Sequence, residues 1–293
     1  MTTNLEFKAW SEVPRAVLTG FAQIMIQPSP LTGAAFIAAA IWNSYVIASF
    51  GVLGCLAGVL TALVLGYPRD ERQNGLYGFN GALVGLGMSY FYEASPLLGL
   101  LVVAGGIASS IVMHRMLRLN MRPLTFPFVA VTWLLMVLSW ITGALVSGAG
   151  TVTDQSEISA LDALSLGIGQ VLFQENIITG IVFLAAITMR DWTQGLYVML
   201  ATAVGLGVAY GAGFPVDAIN LGLFGYNAVL CSILFAGRML KDLFSAIAAI
   251  ALSIMVVRLA HLVDVAALTF PFVLSSWLVL WIRGKVTRKT VQV

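Results

Sequence analysis

The side chains in this sequence that can do chemistry are mostly neutral, sit in apolar runs, and come in pairs. Gln23 and Gln27 of QIMIQPSPLTG return as Gln170 and Gln174 of QVLFQENIITG, Asn80 of LYGFN returns as Asn227 of LFGYN, and Thr125 and Pro127 of LTFPF return as Thr269 and Pro271 of a second LTFPF. Amides and hydroxyls donate and accept hydrogen bonds without carrying charge. The chemistry open to them is to take over the hydrogen bonds of a neutral solute that has left water. Covalent catalysis is not expected, because no nucleophile, base and orienting group cluster anywhere. Cys55 and Cys231 lie in apolar runs and read as small packing residues, so neither a disulfide, a metal nor a cofactor is expected.

The elements that must position these groups are set by composition. With 59% hydrophobic and 10% charged residues and a mean hydropathy of +0.95, the chain lies outside the range of soluble domains. From Ala16 to Pro68 there are 53 residues without Asp, Glu, Lys or Arg, where one crossing needs about 20. The sequence therefore predicts an all-α integral membrane protein. Glu6 and Glu12 beside Lys8 and Arg15, with no small-residue cleavage site, argue against a signal peptide. The net charge of +2 argues against a nucleic-acid partner.

The paired blocks follow one order. The Gln, Asn and His pairs (Gln23 and Gln170, Asn80 and Asn227, His114 and His261) share an offset of 147, and the two LTFPF segments an offset of 144. Chance likeness of apolar runs would not keep Gln, Asn and Thr in step, so the chain reads as two repeats, residues 1–150 and 151–293. Each repeat reads as six apolar elements, in the first at 13–27, 30–41, 45–66, 75–92, 97–117 and 123–148, with the first two too short to cross comfortably. Lys and Arg follow the third and fifth elements in the first repeat (Arg69, Arg72; Arg115, Arg118, Arg122). In the second they follow the second, fourth and sixth (Arg190; Arg238, Lys241; Arg283, Lys285, Arg288, Lys289). With positive ends cytoplasmic, this change of parity is met if both termini are cytoplasmic and each repeat crosses five times, one of its first two elements entering without crossing. The second repeat is then inverted, and the join with Asp154 and Glu157 lies outside. Arg258 alone dissents, and a snorkelling Arg is tolerated.

Each polar pair within these runs has two readings. Gln and Asn serve as interhelical glue or face a path; Thr bonds back to its own helix or lines that path. A proline inside a helix would free a carbonyl four residues earlier, at Pro123 and Ala267, and put acceptors beside Thr125 and Thr269. Phe79 with Leu83, and Tyr226 with Leu230, share helical faces at i and i+4, either as ordinary packing or as flat walls. Glu175, whose counterpart is Pro28, is either a coupling carboxylate or a charge that steadies the next helix start. The general scarcity of charge leans toward a passive pore.

Taken together, QIMIQPSPLTG and QVLFQENIITG, LYGFN and LFGYN, and the two LTFPF segments resemble the urea transporter family in its bacterial form, from about Arg15 to Arg283. The resemblance implies a homotrimer in the bacterial inner membrane, bathed by membrane lipid. Each protomer would have about ten transmembrane helices plus two short re-entrant half-helices, with a pore for urea between the halves. It further implies that Gln23 and Gln170 bind amide at the two ends of a filter. Thr125 and Thr269 would sit at its centre, with Phe79, Leu83, Tyr226 and Leu230 forming slots for a flat solute. Tyr226 and Ile26 depart from the Phe and aromatic residue common at those places. The alternatives are a proton- or ion-coupled transporter using Glu175, and an ammonia or ammonium channel using His114 and His261.

Overall fold

Ser29 accepts a hydrogen bond from the Thr32 amide just ahead of Pro30, and Ser95 does the same for Leu98 ahead of Pro96. The serine oxygen serves an orphan N–H of the first turn, and the proline has none to lose there. Such signals set the helix starts in the computed structural model, which describes residues 10–148, 157–263 and 265–290, the side chains of 285–290 excepted. Glu6, Lys8 and Asp154 lie outside the described residues, as do the side chains of Lys285, Arg288 and Lys289.

Seven helices run α1 (Val13–Gln23), α2 (Pro30–Asn43), α3 (Tyr45–Val64), α4 (Arg69–Gln73), α5 (Phe79–Phe91), α6 (Pro96–Arg118) and α7 (Phe126–Thr142). Seven more follow as α8 (Ala160–Gly169), α9 (Ile177–Arg190), α10 (Trp192–Gly211), α11 (Val216–Asn220), α12 (Tyr226–Phe235), α13 (Leu240–Leu262) and α14 (Phe270–Thr290). The short α4 and α11, five residues each, were not among the six apolar elements read from the sequence, because they are too short and polar to register as apolar runs. Among the described residues α3, α6, α10 and α13 are long and apolar enough to cross a membrane, and α8 with α9 passes the same test as one span bent by 75°. At 1.5 Å per residue, the 13 residues of α5 reach only about 20 Å. Phe79 to Met88 of α5 are all buried, as expected of a helix apolar on every side at the centre of a bundle.

Gly33 and Gly180 let the short first helices close onto the second. A Cβ at Gly33 would stand 1.7 Å from the Leu18 carbonyl oxygen, and one at Gly180 2.0 Å from that of Ser165. Small residues at such crossings let backbones approach. Contacts between the two runs of helices are made twice with the partners exchanged. Trp133 lies tilted against Phe270 at 5.2 Å and donates to the Ala266 carbonyl at 2.9 Å; Trp277 lies 5.4 Å from Phe126 and donates to the Arg122 carbonyl at 2.8 Å. Phe36 of α2 meets Phe183 of α9 at 4.6 Å.

Basic and acidic groups gather at helix ends. Arg69 and Arg72 pair with Glu12 at 2.6 and 3.6 Å, Arg118 pairs with Glu71, and Arg283 with Asp242 at 2.9 Å. The start of α1, α4 and the end of α6 thus share one end of the bundle. Arg258 lies over the Phe214 ring, 5.4 Å from its centre.

The LTFPF segments differ from the expectation of a break inside a helix. Pro127 and Pro271 each stand second in their helix, where a missing N–H costs nothing. The carbonyls of Pro123 and Ala267 are not freed; they accept from the Phe126 and Phe270 amides at 3.0 and 3.1 Å. The preceding Leu124 and Leu268 adopt left-handed backbone, φ 52° and 47°, at a cost of about 1–3 kcal/mol each. Asn80 Oδ1 accepts from the Phe128 amide at 3.1 Å, and its Nδ2 lies 3.5 Å from the Leu124 carbonyl. Asn227 Oδ1 accepts from the Phe272 amide at 3.1 Å, and its Nδ2 donates to Leu268 at 3.1 Å. One buried amide thus serves both a helix's orphan N–H and the strained carbonyl before it.

Asn227→Leu, close in volume, should leave the Phe272 N–H unpaired and cost about 1–3 kcal/mol. The expected result is a lower melting temperature of the purified protein and faster hydrogen exchange at the Phe272 amide; if both stay unchanged, the cap is not what holds α14 in place.

Candidate permeation site

Two partly open cavities reach into the bundle, each associated with one of the two glutamines. The first, about 250 Å³, is lined by Gln23, Ile26, Phe79, Leu124, Thr125 and Phe272, among others. The second, about 220 Å³, is lined by Tyr90, Gln170, Phe173, Tyr226, His261 and Leu268, among others. Thr125 and Thr269 share a hydrogen bond of 2.6 Å between their hydroxyls, and each is only 2% exposed. The helix starts described above therefore bring the two LTFPF threonines together, Thr125 at the wall of the first cavity and Thr269 directly behind it.

Each glutamine stands at the end of a short helix that is closed by a turn of matching form. Ile26 and Phe173 have φ of 57°, a conformation that branched and bulky side chains rarely take. The following amides reach back, Gln27 N–H to the Ala22 carbonyl at 3.0 Å and Gln174 N–H to that of Gly169 at 3.1 Å. Gln27 and Gln174 turn their side chains into the same breaks. Gln27 donates to Met25 at 3.1 Å and to Gln194, while Gln174 donates to Leu172 at 2.7 Å and accepts from Asn43 at 3.0 Å. They are ties within the protein, and this frees Gln23 and Gln170 to face the cavities.

The two cavity glutamines differ in partners. Gln23 Oε1 is buried with no hydrogen-bond partner among the described residues, a state that costs about 1–3 kcal/mol until an N–H arrives. Gln170 donates from Nε2 to Glu175 at 3.3 Å, which leaves its oxygen as the group still able to accept. Glu175 also accepts from the Tyr90 hydroxyl. It does not cap the next helix. That task falls to Asn176, whose Oδ1 accepts from the Ile178 amide at 2.9 Å.

The structure thus brings Gln23, Phe79 and Thr125 to one cavity and Gln170 and Tyr226 to the other, while Thr269 lines neither and bonds to Thr125. Leu83 and Leu230 are fully buried and line neither cavity. Tyr226 donates its hydroxyl to the Leu268 carbonyl at 2.8 Å, which uses the polar handle that a Phe there would lack. His114 is stacked on Tyr67 at 3.7 Å, with its Nδ1 3.0 Å from the Tyr77 hydroxyl, while His261 lines the second cavity. The two histidines share no cavity, and groups of three or more metal-ligating side chains are lacking among the described residues.

Sequence reasoning missed Tyr90 and Phe173. Tyr90 has Gly237 at its repeat position, so duplication could not flag it. Phe173 forms an aromatic wall with Tyr90 at 5.4 Å and Phe128 at 6.2 Å, and only its shared position with Ile26 hinted at a special turn. Asn80 and Asn227 were legible as a polar pair, but not as caps of helices that begin 46 and 43 residues later.

A family model described as "Urea transporter" matches residues 14–284. Urea transporter 1 of Ovis aries is 24% identical over 306 residues, covering 96% of this chain and 78% of that protein. Urea transporter 1 of Rattus norvegicus is 26% identical over 257 residues, covering 80% of this chain and 64% of that protein. With the family model matched over nearly its whole length, this chain belongs to the urea transporter family.

Proposed function

We propose that this chain conducts urea passively through one continuous pore per protomer, which joins the two cavities past the Thr125–Thr269 pair. The observation that carries this reading is a set of neutral hydrogen-bonding groups: the unpartnered Gln23 oxygen in one cavity, the buried Thr125–Thr269 hydroxyl pair at the wall of that cavity, and the oriented Gln170 amide in the other. Urea has four N–H donors and one acceptor, and each bond it loses to water is replaced by one of similar net worth. Phe79 and Tyr226 flank the solute, and Leu83 and Leu230, one turn further along the same helices, are assigned to the narrow segment. The two halves, residues 1–150 and 151–293, are taken as inverted repeats with ten crossings and two half-helices. The contacts made twice with partners exchanged support a two-fold relation between them. A homotrimer in a bacterial inner membrane with both termini cytoplasmic is the expected setting, on the family resemblance and the Lys and Arg distribution.

In liposomes, urea uptake should saturate only at high concentration and ignore imposed pH and Na⁺ gradients. Accumulation above the outside concentration would make Glu175 a coupling site and the protein a secondary transporter.

Thr269→Val removes one hydroxyl at the centre and leaves the shape. A missing hydrogen bond of about 1–3 kcal/mol at the top of the barrier should slow urea flux by roughly five- to a hundred-fold, beside a lower melting temperature from the lost bond to Thr125. Unchanged flux with a lower melting temperature would instead make the pair purely structural.

Inversion has its own measurement. A cysteine placed at the exposed Asn74 should be labelled only from the side of the termini, and one at the exposed Glu93 only from the other; labelling of both from one side contradicts the crossing count.

A further inference from the structure

Away from the two central cavities, a third of about 570 Å³ opens where the α9–α10 junction meets the segment between α12 and α13, lined by Thr188, Arg190, Asp191, Trp192, Gln194 and Arg238, with Met189 beside them. It is the opposite of the central pair in character. Its walls are polar and carry two guanidinium groups, and neither Arg190 nor Arg238 makes an ion pair among the described residues. Asp191 is the one acid in the lining, and its Oδ1 is occupied as the cap of α10, accepting from the Thr193 amide at 2.9 Å. Two positive charges against one negative leave the cavity positive. Gln194 spends its carbonyl oxygen on Gln27, so its amide N–H groups remain to donate.

Apolar side chains in this lining, and Leu240 two residues beyond Arg238, are unburied. Met189 is 88% exposed, Leu240 is 73% exposed, and the Trp192 ring at the first position of α10 is exposed too. A Trp at a helix end beside arginines is the pattern of the membrane–water interface. Arg190 and Arg238 also stand on the face that the Lys and Arg bias assigns to the cytoplasm, where anionic lipid concentrates and basic pockets between membrane helices take head groups. Guanidinium forks suit phosphate oxygens, which they can bind in pairs.

We propose that this cavity binds the phosphodiester head group of an anionic phospholipid, held by Arg190, Arg238 and the Gln194 amide, with the acyl chains lying along Met189 and Leu240. The inference does not depend on which solute the central cavities carry. A seated head group would also fix Gln194, and through it Gln27, at the break that ends the helix bearing Gln23.

The purified full chain in neutral detergent, titrated with dioleoylphosphatidylglycerol and separately with dioleoylphosphatidylcholine, tests this by native mass spectrometry. One phosphatidylglycerol per protomer should be retained at least about tenfold more tightly than phosphatidylcholine. Arg190→Gln with Arg238→Gln should abolish that preference, while Lys241→Gln, on the same face but outside the cavity, should keep it. A melting temperature close to that of the unmodified chain reports that the double variant is folded. If it does not fold, Arg190→Lys with Arg238→Lys takes its place and should weaken retention, because an ammonium cannot make the paired contact. Retention unchanged in both double variants overturns the proposal, as does equal loss with Lys241→Gln. Displacement of the lipid by inorganic phosphate at the lipid's own concentration also overturns it, and assigns the cavity to a soluble anion.

Discussion

A backbone that leaves its helix inside a bilayer must find partners within the protein, because lipid supplies none. In this protein the requirement is met by two buried amides, Asn80 and Asn227. Each reaches from a central helix to a helix start in another element, accepting from the Phe128 or Phe272 N–H and approaching the carbonyl of the left-handed Leu124 or Leu268. Without such a partner, a leucine at positive φ followed by orphan donors would be too costly at that depth. With it, the chain can begin α7 and α14 abruptly in the middle of the bundle, and the threonine at each start is delivered to the same point. The central hydroxyl pair and the inner walls of both cavities follow from those two side chains.

Much of this organisation was legible in the sequence, because polar residues in apolar runs are conspicuous and these were duplicated in register. The order of elements, the short first helices, and the paired Gln, Asn and Thr positions all came from that signal. Pro127 and Pro271 were misread for a physical reason. Whether a proline breaks a helix or begins one depends on where the helix starts, and here the start is fixed by an amide more than 40 residues upstream, a contact no local rule contains. The turns at Ile26 and Phe173 were hidden for a related reason. Left-handed backbone is announced in sequence by Gly or Asn, and neither residue is either. Glu175 stands beside a helix start capped by Asn176, and its bonding to Tyr90 and Gln170 depends on contacts that the sequence does not place together.

The chemistry of the central cavities agrees with a solute that must arrive and leave quickly. Neutral acceptors and donors compensate lost hydration without holding the solute tightly, whereas a fixed charge in a dry passage would either trap a partner or repel it. Within each glutamine block the second glutamine donates from its side-chain amide back into the turn, while the first lines a cavity; among the described residues the side-chain oxygens of Gln23 and Gln27 both have capacity to spare. The aromatic residues beside them, Phe79 and Tyr226, line the cavities with flat apolar surfaces.

The two cavity glutamines are alike but not equal, since Glu175 and Tyr90 orient Gln170 and, among the described residues, no corresponding pair orients Gln23, whose block carries Pro28 instead. In the passive pore proposed above, such asymmetry would obey detailed balance: it could not push solute in either direction, and net flow would still vanish when the two concentrations are equal. What it can do is make the two mouths saturate differently. The concentration at which entry becomes limiting would then depend on the side from which the solute comes, so the passage behaves as a symmetric conductor at low load and as a sided one at high load.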